Sequence, residues 1–220
     1  MKLSTLAFNS VKSVKFMDNP EFNLVGFRNR EFDNDIDYSA SILHCFSSLN
    51  RAIHRLSDRN KIPFKCEKIS KNANTNIFNF KEQGLKIKTI KNVVSLDETY
   101  GRYIHYPFRE MGNGCFMVIG CIAPNEVYVE YVEDIPNFDS EDFDYRDDDE
   151  IKDVELGDYG INDTMCSYIE LFVKGELFTT ISPELSFAFV NRAEQAFADL
   201  DDYSTAFGQQ TIKPRIKVGA

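Results

Sequence analysis

Ile42, Phe46, Leu49, Ile53 and Leu56 recur at steps of four, three, four and three residues. That spacing paints one stripe of a helix and predicts a helical segment from about Asp37 to Asn60. Asp37 or Ser39 offers a side-chain acceptor to its first amides, and Ile62-Pro63 ends it. Leu3, Leu6, Ala7, Val11 and Val14 predict a shorter helix from Ser4 to about Phe16. Between the two, from Asp18 to Asp37, Phe22, Phe27 and Phe32 stand singly in polar sequence with no helical or strand period, which reads as an extended arm or irregular loop.

Beyond Pro63 the period falls to two. Alternation at Phe64–Ile69, Ile77–Phe80 and Leu85–Ile90 predicts short half-buried strands. Tyr103–Tyr106, Cys115–Ile119 and Glu126–Glu133 read as a meander of three antiparallel neighbours, with turns at Gly112-Asn113-Gly114 and Pro124-Asn125. Helical spacing returns at Ile161, Met165, Tyr168 or Ile169, Phe172 and Leu177, with Asp158 or Asn162 as the cap. Ser182-Pro183-Glu184 then marks a new start. Serine is a good cap, proline at the first helical position sacrifices no hydrogen bond, and glutamate suits the positive end of the dipole. Leu185, Phe189, Ala193, Ala196 and Leu200 are the expected buried face of this last helix, and the short Thr179-Thr180-Ile181 link makes the two helices an antiparallel hairpin.

These elements place the chain in the α+β class: an antiparallel bundle of N- and C-terminal helices with a central antiparallel β-insertion. The expected divisions are 1–63 for the arm and first helices, 64–133 for the β-insertion, 134–158 for a loop, 159–203 for the closing hairpin and 204–220 for an extended tail.

Charge sharpens the picture of the loop. The 220 residues carry a net charge of −10. The stretch Asp134–Asp158 holds twelve acids against only Arg146 and Lys152, an excess that equals the whole imbalance, so the rest of the chain is neutral. A run such as Asp147-Asp148-Asp149-Glu150 repels itself and stays hydrated, and is expected to be a mobile loop. On charge alone it reads as a solubilising loop. Bases sit at both ends: Lys2, Lys12 and Lys15 precede the first acid, and Lys213, Arg215 and Lys217 follow the last. In the tail they interleave with Ile212, Ile216 and Val218, which reads either as a frayed terminus or as a segment that anchors in an acidic groove. Arg51, Arg55 and Arg59 form a basic ridge on the long helix, either a solvated face or a contact for an acidic neighbour or nucleic acid.

With 43% hydrophobic and 27% charged residues, the composition excludes collagen, coiled coil and wholesale disorder. No apolar run is long enough for a membrane span, and Met1-Lys2-Leu3-Ser4-Thr5 lacks the start of a signal peptide, so the expectation is a protein made and kept in the cytoplasm. Cys45, Cys66, Cys115, Cys121 and Cys166 lack Cys-x-x-Cys spacing and read as reduced core thiols. Catalytic patterns are weak throughout. His44 and Cys45 adjoin on a helix and point apart, and Cys115 and Cys121 with His105 lack the knuckle of a zinc site. Gly112-Asn113-Gly114 lacks the Lys-Ser/Thr of a phosphate loop, and the acidic run lacks the glycine and glutamate register of an EF-hand. The sequence therefore predicts no catalytic site, no metal and no cofactor.

In its order of elements the chain resembles the head-to-tail adaptor proteins of tailed bacteriophages, the ring proteins called head-completion, connector or tail tubular A-like. Leu49–Leu56 leading into Lys61-Ile62-Pro63-Phe64 is similar to the family's early helix and following strand. Glu130–Pro136 resembles the strand end before a charged loop, and Tyr159–Leu177 with Ser182–Tyr203 resembles the closing helical hairpin. The resemblance implies a structural virion protein of the phage neck, assembled in the host cytoplasm as a ring of twelve copies. It implies partners in the portal protein and an adjacent tail or ring protein, a tail at Ile212–Val218 that reaches the portal, and a DNA channel crossed during ejection without sequence-specific contacts. Asp147, Asp148, Asp149 and Glu150 would face the channel or a ring. The alternatives are an acidic DNA-mimic inhibitor or another phage protein-binding module, and a small enzyme.

Overall fold

The computed structural model describes residues 1–71, 75–97, 99–147 and 150–203. Antiparallel sheets and helices are both present, as the α+β class requires. Two compact units divide the chain: Met1–Pro63 with Ile135–Asp202, and Phe64–Asp134, with which Tyr203 groups.

The first unit holds the helices α1 (Leu3–Lys15), α2 (Leu24–Arg28), α3 (Ile36–Asp58), α4 (Asp163–Phe178) and α5 (Pro183–Asp199). The stripe Ile42, Phe46, Leu49, Ile53 and Leu56 is buried as its spacing predicts. The helix starts one residue before the expected range, and its cap is Asp35, whose carboxylate accepts from the Tyr38 amide, rather than Asp37 or Ser39. Asn162 caps α4 by accepting from the Met165 amide.

The segment read as an arm is part of the core. Phe22 and Phe27 are fully buried, and Phe22 sits 4.5 Å from Phe16, 5.4 Å from Phe8 and 5.9 Å from Tyr38, centroid to centroid. Phe22, Phe27 and Phe32 fall five residues apart, a spacing of no regular element, and turns bring them inward. Asn23 accepts from the Gly26 amide to start α2, and a side chain at Gly26 would strike Phe32 and the Glu31 carboxylate.

The acidic stretch also folds, contrary to the expectation of a mobile loop. It forms a hairpin of β8 (Phe143–Asp144) and β9 (Lys152–Asp153), and it buries Ile135, Phe138, Phe143 and Leu156 in the same core as the helices. The apolar residues are interleaved with acids such as Asp139, Glu141, Asp147 and Glu150, which stay exposed while the backbone is anchored. Asp148 and Asp149 lie outside the described residues.

On α5 the buried positions are Ala193 and Phe197, with Val190 packed against the core, while Leu185 is 47% and Phe187 is 70% exposed. The expected face is rotated because α5 approaches α4 closely: a Cβ on Gly175 would lie 2.7 Å from Val190 Cγ2 and 2.9 Å from its amide nitrogen. Ser182 precedes Pro183 as expected but makes no side-chain cap bond. Gly175→Ala gains up to about 1 kcal/mol of helix propensity yet forces apart a backbone contact, an overpacking cost of about 1–3 kcal/mol. We expect a net loss, read as a lower urea midpoint of the helical circular dichroism signal.

The second unit has a sheet ordered β1 (Lys65–Ser70), β7 (Glu126–Glu133), β3 (Ile87–Asp97), β4 (Arg102–His105), and a sheet ordered β2 (Ile77–Asn79), β6 (Cys115–Val118), β5 (Phe108–Gly112). Ile69, Phe78, Val93, Phe116, Val127 and Val129 share one core. The expected meander is not formed: β4 pairs with β3, β6 with β5 and β2, and β7 with β1 and β3. The strand β5, missed in the sequence, takes the place beside β6. Its Arg109 to Gly112 are exposed, so it carries no alternating apolar signal. Gly112, Asn113 and Gly114, all at positive φ, make the β5–β6 turn.

Candidate functional site

The helix α1 lacks a cap of its own, since Lys2 makes no side-chain cap bond. The acceptor comes from the acidic hairpin instead. Asp153, its side chain 1% exposed, accepts from the Ser4 amide at 3.1 Å, the Ser4 hydroxyl at 2.6 Å and the Tyr145 hydroxyl at 2.8 Å. Arg28 donates to Ser4 Oγ at 2.9 Å and to Thr5 Oγ1 at 3.0 Å and stacks on the Tyr145 ring, while Lys2 donates to the Tyr145 hydroxyl. The backbones join as well: the Leu3 amide donates to the Val154 carbonyl and the Leu156 amide to the Met1 carbonyl. The basic N-terminal residue Lys2 is thus spent on an internal network rather than held out for a partner.

From this anchor the hairpin projects its acids. Asp144, Asp147 and Glu150 surround a shallow cavity with Arg146 and Lys152. The Arg146 guanidinium lies 2.5 Å from the Asp144 carboxylate and holds its pKa down to about 2. The charge of Arg30 reaches Asp144 and that of Asp33 reaches Arg146, so this cavity borders the segment that leads into α3. There Tyr38, Ile42, Leu43 and Phe46 line a groove of about 300 Å3 flanked by Asp33 and Asp139. Arg30 pairs with Asp33 at 2.6 Å. Ile36 and Leu43 stand 86% and 74% exposed beside it. Sequence reading missed this groove, although Leu43, an apolar residue off the α3 stripe, was its one visible trace.

The basic ridge of α3 is already engaged. Arg51 pairs with Glu176 at 2.8 Å, and Arg55 and Arg59 both reach Glu194. The acidic neighbour is therefore α4 and α5 of the same chain. Residues Ile212, Lys213, Arg215, Ile216, Lys217 and Val218 lie outside the described residues.

Cys45 and Cys166 are buried, which pushes their thiols up to about 12 and about 11 and away from thiolate chemistry. Cys66 and Cys121 are exposed and Cys115 half-buried, so three of the five are not core thiols; the strand and turn positions that hold them face outward. Among the described residues, no group of three His, Cys, Asp or Glu side chains is placed to hold a metal ion, and no helix is long and apolar enough to cross a membrane.

In the second unit the β3–β4 hairpin carries exposed apolar side chains: Leu96, Tyr100, Tyr103 and Ile104 are 43%, 72%, 45% and 39% exposed. β4 ends its sheet, so one edge of its backbone faces no strand among the described residues. The arrangement offers two kinds of binding surface, an acidic face with an apolar groove and an apolar strand edge. No protein-family model matches the chain, and no curated protein matches it.

Proposed function

We propose that this chain is a structural protein of the phage virion, a subunit of the twelve-membered ring that joins the portal protein to the tail or to the next ring. It assembles in the host cytoplasm, and genomic DNA passes through its channel without sequence-specific contacts. It is not an enzyme. In this reading the helices of the first unit form an antiparallel bundle and the β unit is its insertion.

The observation that carries the reading is the order of elements. A helical unit is interrupted at Pro63 by a whole β unit and resumes at Ile135, closing with α4 and α5. The strand edge at β4 and the apolar hairpin beside it suit contacts between neighbouring subunits, which is where such exposed edges find partners. Electron microscopy and mass photometry of the full chain, with and without portal protein, test it. Closed rings or a collar on the portal are expected; a monomer indifferent to the portal overturns the proposal.

A second reading draws on the folding of the acidic hairpin. Because Asp153 and the buried Phe143 fix it, its carboxylates form a shaped surface of the sort an acidic DNA-mimic uses against a phosphate-binding protein. A monomer that binds a nucleic-acid enzyme and is displaced by DNA would favour that module over the ring.

A further inference from the structure

The groove beside the first half of α3 combines an apolar floor with acidic walls, and its neighbours Ile36 and Leu43 leave apolar surface open to water. Tyr38, Ile42 and Phe46 are four residues apart on the helix, so they succeed one another every 6 Å or so along its axis. A segment laid along them in extended form presents every second side chain at about 6.6 Å, close to the same repeat. The C-terminal sequence has that alternation and the opposite charge: laid out extended, Ile212, Pro214, Ile216 and Val218 fall on one side and Lys213, Arg215 and Lys217 on the other. It contains no acid, whereas Asp33 and Asp139 line the groove with Arg30, and Asp35, Asp37, Glu141 and Asp142 adjoin them in sequence.

We infer that this groove receives residues 212–218 of a second copy of the chain, with Ile212, Pro214 and Ile216 seated over Tyr38, Ile42 and Phe46 and the three bases reaching the acidic rim. The contact is head-to-tail, one copy giving its segment and offering its groove, so it repeats from copy to copy. Apolar seating supplies the register. Charge supplies attraction that weakens with salt.

The test uses the full-length chain carrying Lys213→Glu, Arg215→Glu and Lys217→Glu, which removes competition from its own segment. A fluorescent peptide of residues 209–220 is titrated against it. Saturable binding is expected, at least tenfold weaker after Leu43→Glu, a substitution at a 74% exposed position that leaves the fold intact. Equal binding by a scrambled peptide of the same composition, or no effect of Leu43→Glu, overturns the assignment. Sedimentation then compares the two full-length variants, segment-reversed and Leu43→Glu, alone and mixed. Each alone is expected to be monomeric and the mixture to form a dimer with one intact junction. Absence of that dimer above the peptide's Kd overturns docking between copies. Rings that persist in both variants sink this contact and leave the connector proposal standing, while peptide binding by a chain that never closes a ring does the reverse.

Discussion

Asp153→Ala is expected to destabilise the helical unit by about 3–5 kcal/mol, the range for removing one partner of a buried charged network. The effect exceeds that of an ordinary cap, about 0.5–2 kcal/mol, because several groups lose their acceptor together. The Ser4 amide is one of the first four of α1, which no preceding turn can satisfy. The Ser4 and Tyr145 hydroxyls lose a carboxylate at 2.6 and 2.8 Å, and Arg28 is left beside them without its counter-charge. Asp153→Asn keeps an oxygen for the Ser4 amide and gives up the charge, so it should fall between wild type and alanine. Urea unfolding followed at the helical circular dichroism band orders the three; an alanine variant within about 0.5 kcal/mol of wild type would show that the hairpin does not hold α1, since that is the range of ordinary surface substitutions.

The same network shows where sequence reading stops. The long helix was legible because Ile42 to Leu56 repeat at the helical period and the stripe needs only one partner surface, whatever that surface is. Asn162 could be read as a cap of α4 because capping is decided within three residues. Asp153 could not, because its partner Ser4 is 149 residues away and nothing local distinguishes it from the eleven other acids of its stretch. Charge counting made the opposite error: it weighed those acids and passed over Ile135, Phe138, Phe143 and Leu156, four apolar residues spaced irregularly enough to escape any period yet sufficient to bind the segment to the core. Strand order failed for a related reason. Alternation shows that β4, β6 and β7 exist, but pairing between β7 and β1 joins residues about sixty apart, and only the shared core of the two sheets selects it. The groove beside α3 rests on the same kind of meeting, between residues 30–46 and the acidic stretch, of which Leu43 alone left a mark in the pattern.

Phe22→Ala is expected to cost about 3–5 kcal/mol in the isolated chain, the usual loss for truncating a buried phenylalanine and leaving a cavity. Phe22 is 1% exposed and meets Phe8, Phe16, Phe27, Phe32 and Tyr38 at centroid distances between 4.5 and 6.0 Å. Its stacked and edge-on partners add to the loss beyond area alone. An arm that orders only on assembly would give the contrary result, no change in the free protein and a defect confined to the complex. Urea denaturation of wild type and Phe22→Ala, with Phe22→Leu as a smaller truncation expected to lose less, separates the two cases. A large loss in the free chain leaves the surfaces already on its exterior, the β4 edge and the groove beside α3, to carry whatever the protein joins.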